Sequence, residues 1–333
     1  MLSFVLMSCI YALPALGGAD VGAAAGQSLL QPSSARPAAL GEAYAAEGGR
    51  SDTLAYNPAG LGSLRAMEVS AMYHAGFAGD TFVNACVGAP FMGFGVCAGA
   101  AYYSAGNVER VYPTGRTGEV SAQRDLIVNA GTGYRFRRFN LDFGAGAKML
   151  RTELLEEVSG NVVGYDCGAR FEAPSLGLSF GAALQNLGGH LRLDSEETPI
   201  DNQPLPCLVR LGAAYRLEVV RAAPRLGSLK SASEPRLREP SAPRQLLVLA
   251  DAVLRVEEGA RQFAVGAEYG AGSGLALRIG FRTLSHGAAA RLDAYTLGLG
   301  FDLRVFRLDY AVEMLPFTSL HRLGLTVTPG PPR

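Results

Sequence analysis

The feature that most constrains this chain is an alternation of apolar and polar residues with period two. It starts near Met67 and recurs almost to the C-terminus. In EVSAMYHAGF, Val69, Ala71, Tyr73, Ala75 and Phe77 share one face, and Glu68, Ser70, Met72, His74 and Gly76 the other. In LDFGAGAKML, Leu141, Phe143, Ala145, Ala147 and Met149 oppose Asp142, Gly144, Gly146 and Lys148. Such a pattern puts successive side chains on opposite faces of an extended strand. Turn signals divide the region into fourteen segments: 67–77, 81–91, 93–104, 121–136, 139–152, 162–172, 175–187, 205–218, 245–256, 262–269, 275–283, 293–303, 304–313 and 319–328.

Composition decides what surrounds those strands. Only 18% of the 333 residues are charged, below the roughly 25% of soluble domains. The formal net charge is zero, and no clustered basic face marks a nucleic-acid partner. No run reaches the ~18 apolar residues of a spanning helix, so residence in a membrane requires a closed barrel. The polar face is dense in glycine and in charges of both signs, as a lumen would be. The apolar face carries aromatics near strand ends: Phe91, Phe94, Tyr102, Tyr134, Phe136, Tyr215, Phe281, Tyr295, Phe301 and Phe306. Interfacial girdles of membrane barrels place aromatics there. Connections alternate between short ones, such as 91–93, 137–139, 173–175 and 270–274, and longer ones at 105–120, 153–161 and 188–204. The expected fold is therefore all-β: a transmembrane antiparallel β-barrel of about fourteen strands over 67–328, in contact with outer-membrane lipid, with a short tail at 329–333.

Residues 1–66 do not alternate. The first stretch, MLSFVLMSCIYALPALGGAD, is an apolar run followed by small residues, the shape of a secretory signal cleaved near Ala19, although it lacks a basic flank. A lipoprotein reading of Cys9 suffers from the short run before it. In 20–66, SARPAALGEAYAAEGG reads as a helix from about Pro37 to Ala46, with Ser33 or Ser34 as cap and Gly48 as stop. Asn57-Pro58-Ala59-Gly60 is turn chemistry, yet Leu54, Tyr56, Leu61 and Leu64 around it are too apolar for a solvated loop. A fourteen-strand barrel is wider than side chains alone can fill, so a compact apolar segment inside the lumen would plug it. Strand parity puts 188–204 outside the cell and 219–244 in the periplasm. The latter is long, Pro-rich and basic; it reads as a disordered connection, or as a docking site for a periplasmic partner or an anionic surface.

SARPAALGEAYAAEGGRSDTLAYNPAGLGSL resembles the N-terminal region of FadL-like outer-membrane proteins, including the PorV-type branch, and Asn57, Pro58 and Ala59 match the family's hatch motif. The resemblance implies a fourteen-stranded barrel, plugged by an N-terminal hatch, in a two-membrane bacterial envelope. It also implies passage of long-chain fatty acids or other hydrophobic small molecules. Within the same family lies a non-transport alternative, a PorV-type scaffold that holds secreted or surface partners.

Chemistry that would make an enzyme is sparse. Gly177-Leu178-Ser179-Phe180-Gly181 matches a nucleophile-elbow pattern but sits inside an alternating strand, not at a strand–turn–helix junction. His74, His190, His286 and His321 fall in separate segments, without the spacing of a metal site. The expectation is no catalytic residue, no metal and no cofactor. Lumen cations Lys148, Arg210, Arg278 and Arg282 are candidates to receive a ligand carboxylate. With Arg170 and Arg216, they can also pair across strands with Asp125, Asp142, Asp166, Glu172, Asp251 or Glu268. After removal of the leader, Cys86, Cys97, Cys167 and Cys207 remain, none in CxxC spacing. If Phe91 and Met92 form a two-residue turn, Cys86 lies opposite Cys97, close enough for a disulfide or for direct contact of two thiols. Cys167 and Cys207 are expected to be unpaired.

Overall fold

The structure is a computed structural model that describes residues 24–76, 79–111, 115–194, 200–220, 244–286 and 290–330. The expected leader and most of the 219–244 connection lie outside these residues. Fourteen strands close into one antiparallel barrel. In chain order they are β1 Glu68–Ala75, β2 Thr81–Phe91, β3 Phe94–Ser104, β4 Gln123–Phe136, β5 Leu141–Leu154, β6 Val158–Ala173 and β7 Leu178–Leu187. They continue as β8 Leu208–Val220, β9 Arg244–Arg255, β10 Ala260–Gly270, β11 Leu275–His286, β12 Ala290–Leu303, β13 Phe306–Leu315 and β14 Thr318–Val327. Each pairs with its neighbours in sequence, and β1 closes on β14 from Val69↔Val327 to Ala75↔His321.

The alternation is realised residue by residue. In β5, Asp142, Lys148 and Leu150 are buried in the lumen while Phe143 and Met149 are exposed on the outer face. The outer face carries the aromatic belt: Phe94, Tyr134, Phe136 and Phe143 form a chain of ring contacts 4.7–5.8 Å apart, and Phe281 packs 5.2 Å from Tyr295. A wall of this kind needs an apolar solvent.

Four local differences from the sequence reading have clear causes. The β2–β3 turn is Met92-Gly93, not Phe91-Met92, because both central residues take positive φ (48° and 87°), as a tight hairpin turn requires. Phe91 therefore pairs with Phe94, Cys86 with Gly99 and Gly88 with Cys97, so the two cysteines are diagonal and not directly opposed. The connection expected at 153–161 is a tight turn over 155–157, with Leu155 and Glu156 at φ 51° and 61°; β6 consequently starts at Val158. The longer connections at 105–120 and 188–204 contain two-stranded ribbons, Asn107–Val111 with Thr117–Ser121 and His190–Leu193 with Ile200–Pro204. The helix is only Ala35–Ala39, since Gly41 and Glu42 take positive φ and end it; Ser34 caps it by position, without a side-chain hydrogen bond.

Turns 92–93, 137–140, 174–177, 271–274 and 304–305 gather at one end of the barrel, here the tight-turn end. Both ribbons lie at the other, the loop end.

Candidate functional site

The lumen is the site, and residues 24–66 occupy it. The segment enters near the loop end, where Ala25 N–H donates to Pro204 O (3.0 Å). Its helix crosses β12, β13 and β14, and its last turns rest on β3 to β6 before joining β1 at the tight-turn end. The fit depends on glycines of the wall. A Cβ on Gly168 would overlap the Asn57 side chain, and one on Gly144 would overlap the Pro58 backbone. Glycine inside a strand marks such close approach of a second backbone. The same holds at Gly95, Gly181, Gly266 and Gly280, so contact runs around most of the circumference.

Asn57 explains its motif. It is fully buried, and its Oδ1 accepts from Ala59 N–H (3.1 Å), capping the 3-10 helix Pro58–Ser63. Its Nδ2 donates to Ala45 O (2.8 Å) within the segment and to Ala169 O (3.1 Å) on β6. One side chain thus ties three backbones; Pro58 supplies the fixed φ of the first turn, and Ala59 leaves room for the wall.

A polar wall demands a polar filling, because a buried charge without a partner is costly. Arg36 on the helix reaches Glu47 (3.0 Å) and Glu268 of β10 (2.8 Å), and lies 5.3 Å above the Tyr44 ring. Glu47 also receives Arg216 of β8 (2.9 Å). Burial pushes the Glu47 carboxyl up, but the Arg36 and Arg216 guanidiniums outweigh it and hold it below the usual carboxylate range. Asp251 of β9 accepts both Tyr44 N–H and Ala45 N–H at 2.9 Å.

The four candidate ligand cations are all engaged. Lys148 pairs with Asp166 (2.8 Å) and donates to Asn186 Oδ1 (2.7 Å). Arg210 meets Asp251 (3.3 Å) and Glu42 O (3.0 Å), stacked over Tyr56. Arg278 bridges Glu268 and Asp309 at 2.6 Å each, and Arg282 bridges Glu42 (2.6 Å) and Glu313. Arg170 joins Asp142 (2.9 Å) and Ala46 O (2.7 Å). The sequence reading did not name Glu42, Glu47, Asp309 or Glu313 as pairing partners. Asp309 and Glu313 share the polar face of their strand, which was the available signal; the other two sit where no strand period applies.

All four cysteines among the described residues are free; Cys86 and Cys97 are buried in one cluster with Leu54 and Leu61, Cys86 Sγ lying 3.0 Å from Ser70 Oγ and Cys97 Sγ donating to Ser51 O (3.6 Å). The diagonal register brings both into that cluster without a bond between them. Ser179 lies within β7, its backbone extended.

The loop end has a different lining. Inward Met72, Phe82, Ile127, Leu150 and Val162 form an apolar cluster on β1, β2, β4, β5 and β6, covered by Leu191, Leu193 and Leu205 of the ribbon region and by Leu29. At the tight-turn end, a cavity of about 450 Å³ is lined by Arg36, Arg50, Arg216, Glu47, Glu268 and other polar residues.

No protein-family model and no curated protein matches the sequence. Solved structures do match. The Pseudomonas putida toluene transporter TodX aligns with TM-score 0.54 at 12% identity, covering 95% of this chain and 98% of that one. The Ralstonia pickettii toluene transporter TbuX gives 0.50 at 14%, covering 88% and 96%. A Pseudomonas aeruginosa FadL homologue gives 0.52 at 8%, covering 89% and 98%. With fourteen antiparallel strands closed around an N-terminal segment, this chain has the fold of the FadL-type outer-membrane channels.

Proposed function

We propose that the protein is a bacterial outer-membrane channel that admits hydrophobic small molecules past an N-terminal hatch. The observation that carries this reading is the apolar cluster at the loop end, inward-facing in a lumen whose other end is ionic. A wall built to pass polar solutes has no reason to present Met72, Phe82, Ile127 and Leu150 inward. The names of the structural neighbours, toluene transporters and a FadL homologue, agree with it. Passage makes or breaks no bond and needs no cofactor.

Long-chain fatty acids are the finer version of the reading. Lys148, Arg210, Arg278 and Arg282 already hold carboxylates or carbonyls, so a fatty carboxylate would have to displace a wall partner. An uncharged hydrocarbon needs no such exchange, and the lumen favours it. Equilibrium binding of labelled toluene and labelled oleate to the purified protein tests both levels. Saturable binding of toluene, tighter than of a polar solute such as arabinose, supports the channel reading. Binding of oleate alone would restore the fatty-acid version, and binding of neither would overturn the reading.

A further inference from the structure

Next to the loop-end cluster, hatch and wall enclose a cavity of about 30 Å³ that Leu29 also touches. Tyr56 and Glu42 of the hatch line it, with Lys148 of β5, Arg210 of β8, Arg255 of β9 and Gln262 of β10. Tyr56 and Gln262 are only 3% and 5% exposed, yet Tyr56 Oη and Gln262 Nε2 have no hydrogen-bond partner among the described residues. Buried polar atoms are nearly always satisfied, and an exception calls for a water or an ion. Both of these atoms can donate a proton. Arg210 adds a third donor. Its Nε and Nη1 reach Gln185, Glu42 O and Asp251, and its Nη2 makes no hydrogen bond among the described residues. Acceptors are scarce by comparison. The amide oxygens of Gln185 and Asn186 take Arg210 and Lys148, and Glu42 Oε1 takes Arg282, which leaves one carboxylate oxygen. Of the charged side chains on the lining, three are cations and Glu42 is the one carboxylate.

We propose that this cavity is a binding site for a small monovalent anion of the halide class, which ties Tyr56 of the hatch to the wall. The site belongs to the seal and holds whatever the channel passes. A halide accepts from several donors at once and needs no acceptor in return, whereas a water must also place two protons of its own. A cation would face Lys148, Arg210 and Arg255. Volume sets the upper limit, because about 30 Å³ has room for one or two water-sized groups and not for a phosphate or a gluconate. Each lining cation keeps its own carboxylate: Asp166 for Lys148, Asp251 for Arg210 and Glu258 for Arg255. The ion therefore joins the ionic network without displacing a pair, and it satisfies the two donors that the fold buries alone.

Protease cleavage of the hatch in the purified full chain tests the site, compared in sodium chloride and in sodium gluconate at equal ionic strength. A ligand that binds only the seated hatch, at ten times its Kd, slows cleavage about tenfold. That slowing is expected in chloride and again in bromide. Equal rates in chloride and gluconate would overturn the proposal. Tyr56→Phe combined with Gln262→Leu removes both unpartnered donors and keeps the packing. The double variant should be cleaved at one rate in both salts, and in gluconate no faster than the parent, since it buries no unpaired donor there. A chloride effect kept in full by that variant would put the ion elsewhere and overturn the site. Should the variant not fold, crystals of the unaltered chain grown in bromide decide the matter. An anomalous peak beside Tyr56 Oη and Gln262 Nε2 is expected, and a cavity without one would contradict the assignment.

Discussion

The two ends of this lumen are built from opposite chemistry on the same strands. Toward the loop end, inward positions hold Met72, Phe82, Ile127, Leu150 and Val162; toward the tight-turn end the wall turns to glycine and charge, and Asp142 and Arg170 of β5 and β6 meet the hatch. Strands β5 and β6 each carry both, with Leu150 and Val162 toward one end and Asp142 and Arg170 toward the other. The difference divides the work. The loop-end cluster attracts hydrophobic molecules by burial, and the charges beside it, such as Asp125 held by Gln123 and Thr152, are satisfied within the wall. The ionic end fixes the hatch by pairs whose loss leaves a bare charge, and so forms the seal.

The most direct way to break this division is to delete residues 20–62. If the hatch is the seal, the variant barrel still folds and its planar-bilayer conductance rises by roughly tenfold or more, since side chains alone do not fill a barrel of this width. An unchanged conductance would remove the seal from the account.

Arg36→Met is the sharper cut. It takes one of two arginine partners from each of Glu47 and Glu268, leaving Arg216 and Arg278, and breaking one member of a buried ionic set costs up to about 3–5 kcal/mol. The expected result is a hatch that leaks ions and is cut by added protease, while toluene binding at the loop end persists. Equal loss of both properties would erase the distinction between the two ends.

Acid should act on the ionic end only. Glu47 has a folded-state value below its unfolded one, so its contribution is present above the unfolded value and is lost as pH falls through the folded one. With an unfolded carboxylate near ~4.3, leakage should stay flat from neutral pH down to about 5 and climb below about 4. Glu47→Gln should remove much of that climb. A rise already complete at neutral pH would assign the transition to another group.

The smallest effect belongs to the cysteines. Mass mapping of the non-reduced protein should find Cys86 and Cys97 as free thiols, and replacing both by serine should change stability by less than about 1 kcal/mol, as near-isosteric swaps do. A bonded pair would mean the β2–β3 register relaxes toward direct opposition.

Much of the barrel was legible because a strand buried on one face writes its period into the sequence. All fourteen segments, the inward placement of Lys148 and Cys86, and the outward aromatics followed from parity. Register did not, because it hangs on one turn: Met92 at positive φ carries no residue signature, although Gly93 beside it does. The ribbons at 107–121 and 190–204 are short and mixed in polarity, so they read as loops. Inside the lumen, the glycines of the polar face were visible, but what approached them was not. Nor could the sequence pair Arg36 with Glu268, since that contact joins residues 232 apart through a fold the alternation does not encode.

The central claim is that this lumen takes hydrophobic molecules and excludes polar ones. Proteoliposomes of the full chain decide it by comparing uptake of labelled toluene with swelling in arabinose, each against empty vesicles. The account predicts protein-dependent, saturable entry of toluene and no swelling in arabinose. Swelling in arabinose with no protein-dependent toluene entry would contradict it and make the protein an open polar pore.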